Sequence, residues 1–259
     1  MEAHIPTFAP EVVGHIGSFS ITNTMINVWI ALIIFFIFGM MLRRRLGMRP
    51  SRLQNGCEYI LESLFHYLDQ VTGAREKTIR FLTVVGTVFF FILLSNWLGL
   101  LPGTGSIFVG NSPLLRPANT DLNLTVAMAL VSVVVSHLFA FGMIGFFAHA
   151  NKFLQIGTIA KALKHGPIAI FTAVIEFMVG IIEIVGEMAK VMSLSLRLFG
   201  NIFAGEVLIS VISSLVGILV PTPFMLLELL VGLIQASVFA ILTTVYLTVA
   251  TSEPHGSEH

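Results

Sequence analysis

The sequence contains little charge and almost no cysteine. Charged residues make up 11% of its 259 residues and hydrophobic ones 56%, whereas soluble domains are about one-quarter charged. This deficit excludes an ordinary soluble domain and places the chain in a lipid bilayer. Cys57 is the single cysteine, which excludes an internal disulfide, and no Cys/His cluster has zinc-site spacing. A formal net charge of zero argues against nucleic acid as a partner.

The N-terminus lacks the basic region of a cleaved signal peptide. Residues 1–20 contain Glu2 and Glu11, and the first apolar run, which starts near Ile26, is followed by RRRLGMR. This order is a stop-transfer pattern, so we expect the run to remain as a helix in the mature protein. The absence of a targeting segment favours a bacterial membrane or an organelle-encoded chain.

Several apolar stretches are long enough to cross a bilayer, which takes about 20 residues of helix. The sequence therefore predicts an all-α membrane protein with about five membrane-embedded helices, one amphipathic surface helix and a long tilted C-terminal helical hairpin. We expect one integral-membrane domain over residues 1–259. Its predicted elements are a first span at 26–42, the surface helix at 50–77, a second span at 80–101, a third at 121–148, and the hairpin helices at 167–219 and 223–250.

The penultimate predicted helix is unusually long. No proline occurs between Pro167 and Pro221, and a helix of about 50 residues would be about 75 Å long, against roughly 30 Å of hydrocarbon. The helix must therefore either break near a glycine, such as Gly200 or Gly205, or tilt steeply.

Basic residues are distributed unevenly between the two sides of the predicted topology. Eight lie in residues 43–80 and three in 149–166, whereas the opposite side has only Arg116. By the positive-inside rule, the N-terminus is outside and the C-terminus lies in the cytoplasm or its equivalent compartment.

Charged residues recur at a helical spacing in the long helix. Glu176, Glu183, Lys190 and Arg197 are each seven residues apart, and Asn201 follows Arg197 by four. Each heptad drifts only about 20° around a helix, so these side chains form a stripe on one face. Charges inside a membrane are costly, and a regular arrangement of them indicates a role.

Two interpretations of the stripe remain open. Lys190 with Glu183 or Glu187 can form an internal ion pair that fixes helix packing, or the ionisable groups can pass protons through intervening water. Arg197 differs, because no acid lies three or four residues from it. Its partner must therefore come from another helix or another chain.

The last helix also carries polar residues at heptad spacing. Glu228 and Gln235 are seven residues apart, which suits either interhelical hydrogen bonds or a polar path. Glu206 follows Arg197 by nine residues, about half a turn away around the helix, so the two need not pair directly.

Residues 193–206, SLSLRLFGNIFAGE, resemble the signature of subunit a of rotary ATP synthases, the stator subunit beside a rotating ring of small hairpin subunits. The similarity extends to SNWLGLLPG at 95–103, DLNLTVAMAL at 121–130 and LIQASVFAILTTVYLTVA at 233–250, and covers roughly residues 20–252. An arginine within such an apolar string is a far more specific signal than a single glycine-rich loop.

The resemblance implies a non-catalytic, ion-translocating subunit that needs no cofactor. Two aqueous half-channels would carry protons to and from the ring carboxylates, which couples proton flow to ring rotation and ATP synthesis. The implied partners are the ring of subunit c, the peripheral-stalk subunit b, the rest of the synthase and the lipid bilayer. The implied location is a bacterial plasma membrane or a mitochondrial inner membrane.

The resemblance also implies a set of proton-translocation residues, with Arg197 facing the ring. The positions implied to line the path near the outer side are Asn201, Glu206, Glu228 and Gln235, with Asp121 and Asn123 at its mouth. The positions on the path to the inner side are Glu183 by the motif, and Glu187 and Ser193 by their face and proximity. Family members often have a histidine opposite a carboxylate where this chain has Glu206 and Glu228, so which glutamate holds the proton stays open.

Other functional classes lack their signatures. An intramembrane enzyme would show an H-E-x-x-H or G-x-S-x-G string, and neither occurs. His137 and His149 are predicted to be packed or hydrogen-bonded residues. A self-contained transporter often has an internal repeat, and a voltage sensor has an arginine at every third position; neither pattern is visible.

Overall fold

The computed structural model describes residues 7–45, 52–101, 108–109, 112–146, 149–150, 153, 167–216 and 220–252. Its long helices are α1 Asn23–Arg45, α2 Arg52–Thr72, α3 Arg75–Gly99, α4 Leu122–Met143, α5 Pro167–Val216 and α6 Pro221–Ala250. Parts of the predicted elements, at 50–51, 147–148 and 217–219, and the basic residues Lys152, Lys161 and Lys164 lie outside the described residues.

The predicted fold class is confirmed. Within the described residues, five helices are long and apolar enough to cross a membrane, namely α1, α3, α4, α5 and α6. The remaining helix, α2, is amphipathic, because Leu64 and Leu68 are buried while Tyr59 and Tyr67 are exposed. The chain is thus an integral, multi-pass membrane protein with one additional amphipathic helix.

Two short β-hairpins were not predicted. Strands β1 Val12–Ile16 and β2 Phe19–Thr22 pair antiparallel before α1, and Gly17 in their turn has a φ of 62°. Strands β3 Phe108–Val109 and β4 Ser112–Pro113 pair between the second and third predicted spans. Such short strands carry little periodicity, so the long apolar helices dominated the sequence-based interpretation.

The sequence left open whether α5 breaks or tilts, and the structure shows no break. The helix is continuous over 50 residues, through Gly200 and Gly205. A glycine costs a helix interior only about 1 kcal/mol relative to alanine, and packing against neighbouring helices offsets that amount. The next helix begins at Pro221, where proline is favoured because its missing N–H would have no helical partner.

The core lies where α3, α4, α5 and α6 meet. Phe81 of α3, Leu194 and Leu198 of α5, and Phe239 and Leu247 of α6 are fully buried there. One face of α5 stays uncovered, and its exposed apolar side chains include Phe171, Met178, Val185, Met192 and Leu196. The helix therefore presents one side to the core and the opposite side to its surroundings.

Candidate functional site

Arg197 points away from the protein core. Its neighbours Leu194 and Leu198 are fully buried and fix the orientation of this turn of α5, while Arg197 is exposed. Nη2 donates a hydrogen bond of 3.4 Å to Oγ of Ser193, one turn earlier. In the part of the chain that the structure describes, no carboxylate lies within ion-pair distance of this guanidinium. A permanent charge is therefore available to a group outside the chain.

Asn201 connects α5 to α6 one turn beyond Arg197. Its Nδ2 donates to Oε1 of Gln235 over 2.6 Å, and Gln235 is 3% exposed. The interhelical hydrogen bond, one of the two alternatives left open for Gln235, is therefore present. This contact places two of the predicted path residues together, beside the face that carries Arg197.

Glu206 forms an ion pair that the sequence did not reveal. Nε of Arg116 lies 3.0 Å and 3.1 Å from the two carboxylate oxygens of Glu206, and Arg116 is only 4% exposed. The other guanidinium nitrogens donate to backbone oxygens of Ala9, at 3.3 Å, and Thr7, at 2.8 Å. In the sequence, Arg116 stands out only as the single basic residue of the outer side, and this was the one feature that could have indicated its role.

Several groups hold Arg116 in place. Its backbone oxygen accepts a 2.7 Å hydrogen bond from Nδ2 of Asn27 in α1. The Phe203 ring of α5 lies 5.8 Å from the guanidinium carbon, and Phe8 stacks on Phe203 with a centroid distance of 4.8 Å. The segment before β1 therefore covers the Arg116–Glu206 pair.

Glu228 reaches the backbone of α5 instead of an ion-pair partner. It is 9% exposed, and its carboxyl group lies against Gly205, directly before Glu206 in the chain. Within the described residues, Oε1 of Glu228 has no hydrogen-bond partner. The two glutamates thus differ in surroundings, since Glu206 has a cation and Glu228 has a glycine.

Gly205→Ala is expected to disrupt the site without breaking α5. A Cβ at this position would overlap the carboxyl group of Glu228, whereas alanine itself is a better helix former than glycine. We expect assembled complex but proton pumping lowered by about tenfold or more, since displaced proton-transfer groups lose at least that factor. The measurement is ATP-driven acidification of inverted vesicles.

Gly142→Ala in α4 is the matched control, because a Cβ there meets no atom within 4 Å. Its pumping should equal that of the wild type. Equal pumping in both variants would contradict the placement of Glu228 against Gly205.

Two side chains of the SNWLGLLPG motif fix the turn of α6 that carries Glu228. Nδ2 of Asn96 donates to the Gly232 oxygen at 3.2 Å, and Nε1 of Trp97 donates to the Leu229 oxygen at 3.2 Å. Asn119 in turn donates to Oδ1 of Asn96 at 2.7 Å. The motif carried the resemblance, but the sequence analysis did not single out these residues.

Asp121 acts as the N-cap of α4. Its carboxylate accepts from the backbone N–H of Asn123 at 2.9 Å and from the hydroxyl of Thr24 at 3.1 Å, and it is 8% exposed. Such caps stabilise a helix by about 1 kcal/mol. Asn123 is exposed beside it. The hydrogen bond between Asp121 and Thr24 connects the start of α4 to the start of α1.

The remaining predicted residues lie towards the other end of α5. Nζ of Lys190 is 2.6 Å from Oε1 of Glu187, so the ion pair expected of Lys190 is present with this partner. Glu183, one turn before Glu187, is half-buried. His137 of α4 contacts both Glu187 and His149, which confirms that these histidines are hydrogen-bonded. Among the described residues, no cluster of His, Cys, Asp or Glu could hold a metal ion.

Comparison with known proteins identifies the chain. Residues 25–248 match the family model described as ATP synthase A chain.

The chain belongs to the ATP synthase A chain family. It is 31% identical to ATP synthase subunit a of Moorella thermoacetica, over 92% of this chain and 94% of that protein. It is 36% identical to ATP synthase subunit a of Gloeobacter violaceus, over 92% of this chain and 86% of that protein. It is 32% identical to a chloroplastic ATP synthase subunit a from Stigeoclonium helveticum, over 90% of this chain and 86% of that protein.

In this ATP synthase A chain, the predicted residues fall into separate groups. Arg197 and Ser193 lie beside the pair of Asn201 and Gln235. Glu206 belongs to the turn of α5 whose Gly205 contacts Glu228, and Asp121 and Asn123 lie at the start of α4. Glu183 and Glu187 precede Arg197 by 14 and ten residues, or about 21 Å and 15 Å along the helix.

Proposed function

We propose that the chain is the stator subunit a of a rotary ATP synthase and forms two half-channels for protons. The observation that carries the proposal is Arg197, a permanent charge on the exposed face of α5 without a carboxylate partner among the described residues. The relatives named ATP synthase subunit a support it. The partners are a ring of subunit c, a peripheral stalk with subunit b and the rest of the synthase, in a bacterial plasma membrane or a mitochondrial inner membrane.

Arg197 explains how proton flow becomes rotation. A ring carboxyl group can face lipid when protonated but not when ionised, because an isolated carboxylate in hydrocarbon is very costly. The guanidinium favours the ionised form, so a ring site that arrives opposite Arg197 releases its proton. Arginine stays charged where a desolvated lysine would lose its proton, and its charge repels protons that would leak between the paths. The membrane potential supplies about 2.3 kcal/mol per proton per 100 mV.

The outer path uses the two glutamates differently. Nε of Arg116 donates hydrogen bonds to both carboxyl oxygens of Glu206, so Glu206 is committed to this pair. Glu228 lies buried against Gly205, and its Oε1 has no hydrogen-bond partner among the described residues, so it is not committed to an ion pair there. Glu228 is therefore the group that carries the proton. Along α5, Asn201 lies between Arg197 and Gly205, the residue that Glu228 contacts, and Gln235 of α6 accepts a hydrogen bond from Asn201. Asp121 and Asn123 mark the mouth of this path.

The inner path follows α5 in the opposite direction. Glu183, Glu187 and Ser193 precede Arg197 along the helix, and the N-terminal end of α5 is on the inner side if the positive-inside orientation holds. In this orientation the N-terminus of the chain is outside and the C-terminus is cytoplasmic. A proton can cross the membrane only while it is bound to a ring carboxyl group that rotates from one path to the other.

The two paths are tested by Glu228→Gln and Glu183→Gln. We expect Glu228→Gln to slow proton uptake from the outer side by about tenfold or more, because glutamine cannot carry a proton, and Glu183→Gln to slow it less. The measurement is proton flow through the assembled complex in right-side-out and inverted vesicles, with the pH varied on one side at a time.

Glu62→Gln on α2 is the control, because Glu62 is exposed on the amphipathic helix. It should leave both directions unchanged. If Glu183→Gln impaired uptake from the outer side and Glu228→Gln that from the inner side, the assignment of the paths would be refuted.

A further inference from the structure

Four ionisable side chains form a connected cluster between α4 and α5. Nζ of Lys190 lies 2.6 Å from Oε1 of Glu187, and Oε2 of Glu187 lies 3.5 Å from Nε2 of His137. Nδ1 of His137 lies 3.0 Å from Nε2 of His149. The exposed fractions are 27% for Lys190, 17% for Glu187, 22% for His137 and 3% for His149. The cluster therefore runs from a partly accessible cation to a buried imidazole.

The surroundings of the cluster are apolar. The rings of Phe141 and Phe153 lie 5.1 Å and 5.4 Å from the His149 ring, and Phe153 lies 5.7 Å from His137. Among the charged and titratable groups of the described residues, Glu187 of α5 and His149 of the segment after α4 contact His137 directly. Lys190 of α5 contacts Glu187, and its Nζ lies 5.3 Å from the ring of Tyr246 in α6.

The contacts constrain where protons reside. The Glu187 carboxylate, held by Lys190, can only accept hydrogen bonds, so Nε2 of His137 must carry a proton. When His137 is neutral, its Nδ1 is an acceptor and Nε2 of His149 donates to it. When one more proton is bound, Nδ1 of His137 donates to His149. The two imidazoles therefore share a site for one exchangeable proton, and Glu187 faces it with a negative charge.

We propose that His137 and His149, held by Glu187 and Lys190, form a proton-exchange station on the inner path of this subunit. The station rests on the proposed half-channel function and adds residues to it. Uptake forms one N–H bond on the imidazole pair, with a proton from hydronium on the inner side. Release breaks an N–H bond to water on the side towards Arg197, and the pair returns to its neutral state. Glu187 stabilises the imidazolium between the two steps.

The position along the membrane agrees with this role. His137 is 15 residues from the start of α4 at Leu122, about 22 Å along the helix from the end that carries Asp121. Glu187 is ten residues before Arg197, about 15 Å away along α5. The cluster thus lies on the opposite side of Arg197 along α5 from the Arg116–Glu206 pair.

A role that is only structural makes a different prediction. If the cluster merely held α4 against α5, a glutamine at position 137 could replace the hydrogen bonds of histidine, and any loss of activity would be the same at every pH. If the cluster exchanges protons, removing the imidazole lowers the rate of proton pumping, and the size of this decrease depends only on the pH of the inner side.

The experiment compares His137→Gln, Glu187→Gln and wild type in inverted vesicles with the intact complex. The rate of ATP-driven proton pumping is measured at medium pH values from about 6 to about 8.5. The rate of each variant is divided by the wild-type rate at the same pH, because the pH dependence of the shared soluble head then cancels. His66→Gln is the matched control, because His66 is exposed on α2 and bonded only to Gln70 among the described side chains. Assembly is checked on the same membranes.

We expect the His137→Gln ratio to be about 0.1 at pH 6 and to rise towards one at high pH, where few protons are available for the imidazole pair to take up. Glu187→Gln should also lower the ratio most at low pH, and His66→Gln should give a ratio of one throughout. A ratio for His137→Gln that is one, or low but independent of pH, overturns the station. Arg197→Ala on the same membranes keeps the two proposals apart: if it loses pumping while His137→Gln does not, the half-channel function stands and the station falls.

Discussion

Arg197→Ala should abolish coupled proton transport while the complex still assembles. Removing a fixed charge that stabilises a developing charge typically costs a factor of about 100 to 1,000, and here the ring carboxylate would lose the group that ionises it. Assembly should persist because, within the described residues, the guanidinium is exposed and bonded only to Ser193. The measurement is ATP-driven acidification of inverted vesicles, together with the amount of assembled complex.

Two further variants sharpen this test. Arg197→Lys retains a cation that can lose its proton when desolvated, so it should pump poorly as well. Arg75→Ala removes an arginine that is 71% exposed and paired with Asp69, so its pumping should stay at the wild-type level. Full pumping by assembled Arg197→Ala complex would make Arg197 a structural residue and refute the proposed function.

Arg116→Ala should destabilise the subunit strongly. Its guanidinium is buried, pairs with both carboxylate oxygens of Glu206 and bonds to the backbone at Thr7 and Ala9. Removing one partner of a buried pair leaves an uncompensated charge and costs about 3–5 kcal/mol. We expect a large loss of assembled subunit from the membrane and faster proteolysis of the segment before β1, both measured in isolated membranes.

The control and the rescue separate charge from packing. Arg75→Ala breaks an exposed ion pair, which is worth at most about 1 kcal/mol, and should leave assembly unchanged. Glu206→Gln, added to Arg116→Ala, removes the orphaned charge and should restore part of the assembly. If Arg116→Ala behaved like Arg75→Ala, the buried ion pair would carry no appreciable stability.

The amino-acid sequence was sufficient for the membrane class and for the long apolar helices, and it singled out Arg197, whose central role stays a prediction. Long apolar runs and the seven-residue spacing from Glu176 to Arg197 are local properties, because a helix places residues seven apart on one face whatever surrounds it. The same periodicity shows that no acidic residue lies one helical turn before or after Arg197. An interhelical bond of Gln235 was one of two alternatives that the sequence left open, and its partner Asn201 was not predicted.

The partners of the buried charges depended on how the helices pack. Arg116 and Glu206 are 90 residues apart in the chain, and no local pattern relates them. The same holds for the Glu228 carboxyl group, which lies against Gly205, and for His137, which meets Glu187 across two helices. Sequence spacing predicts which face of a helix a side chain occupies, whereas the neighbour on that face is set by crossing angles and by small residues that allow close approach. The sequence likewise left open whether α5 breaks at a glycine or tilts, and the structure has it continuous through Gly200 and Gly205.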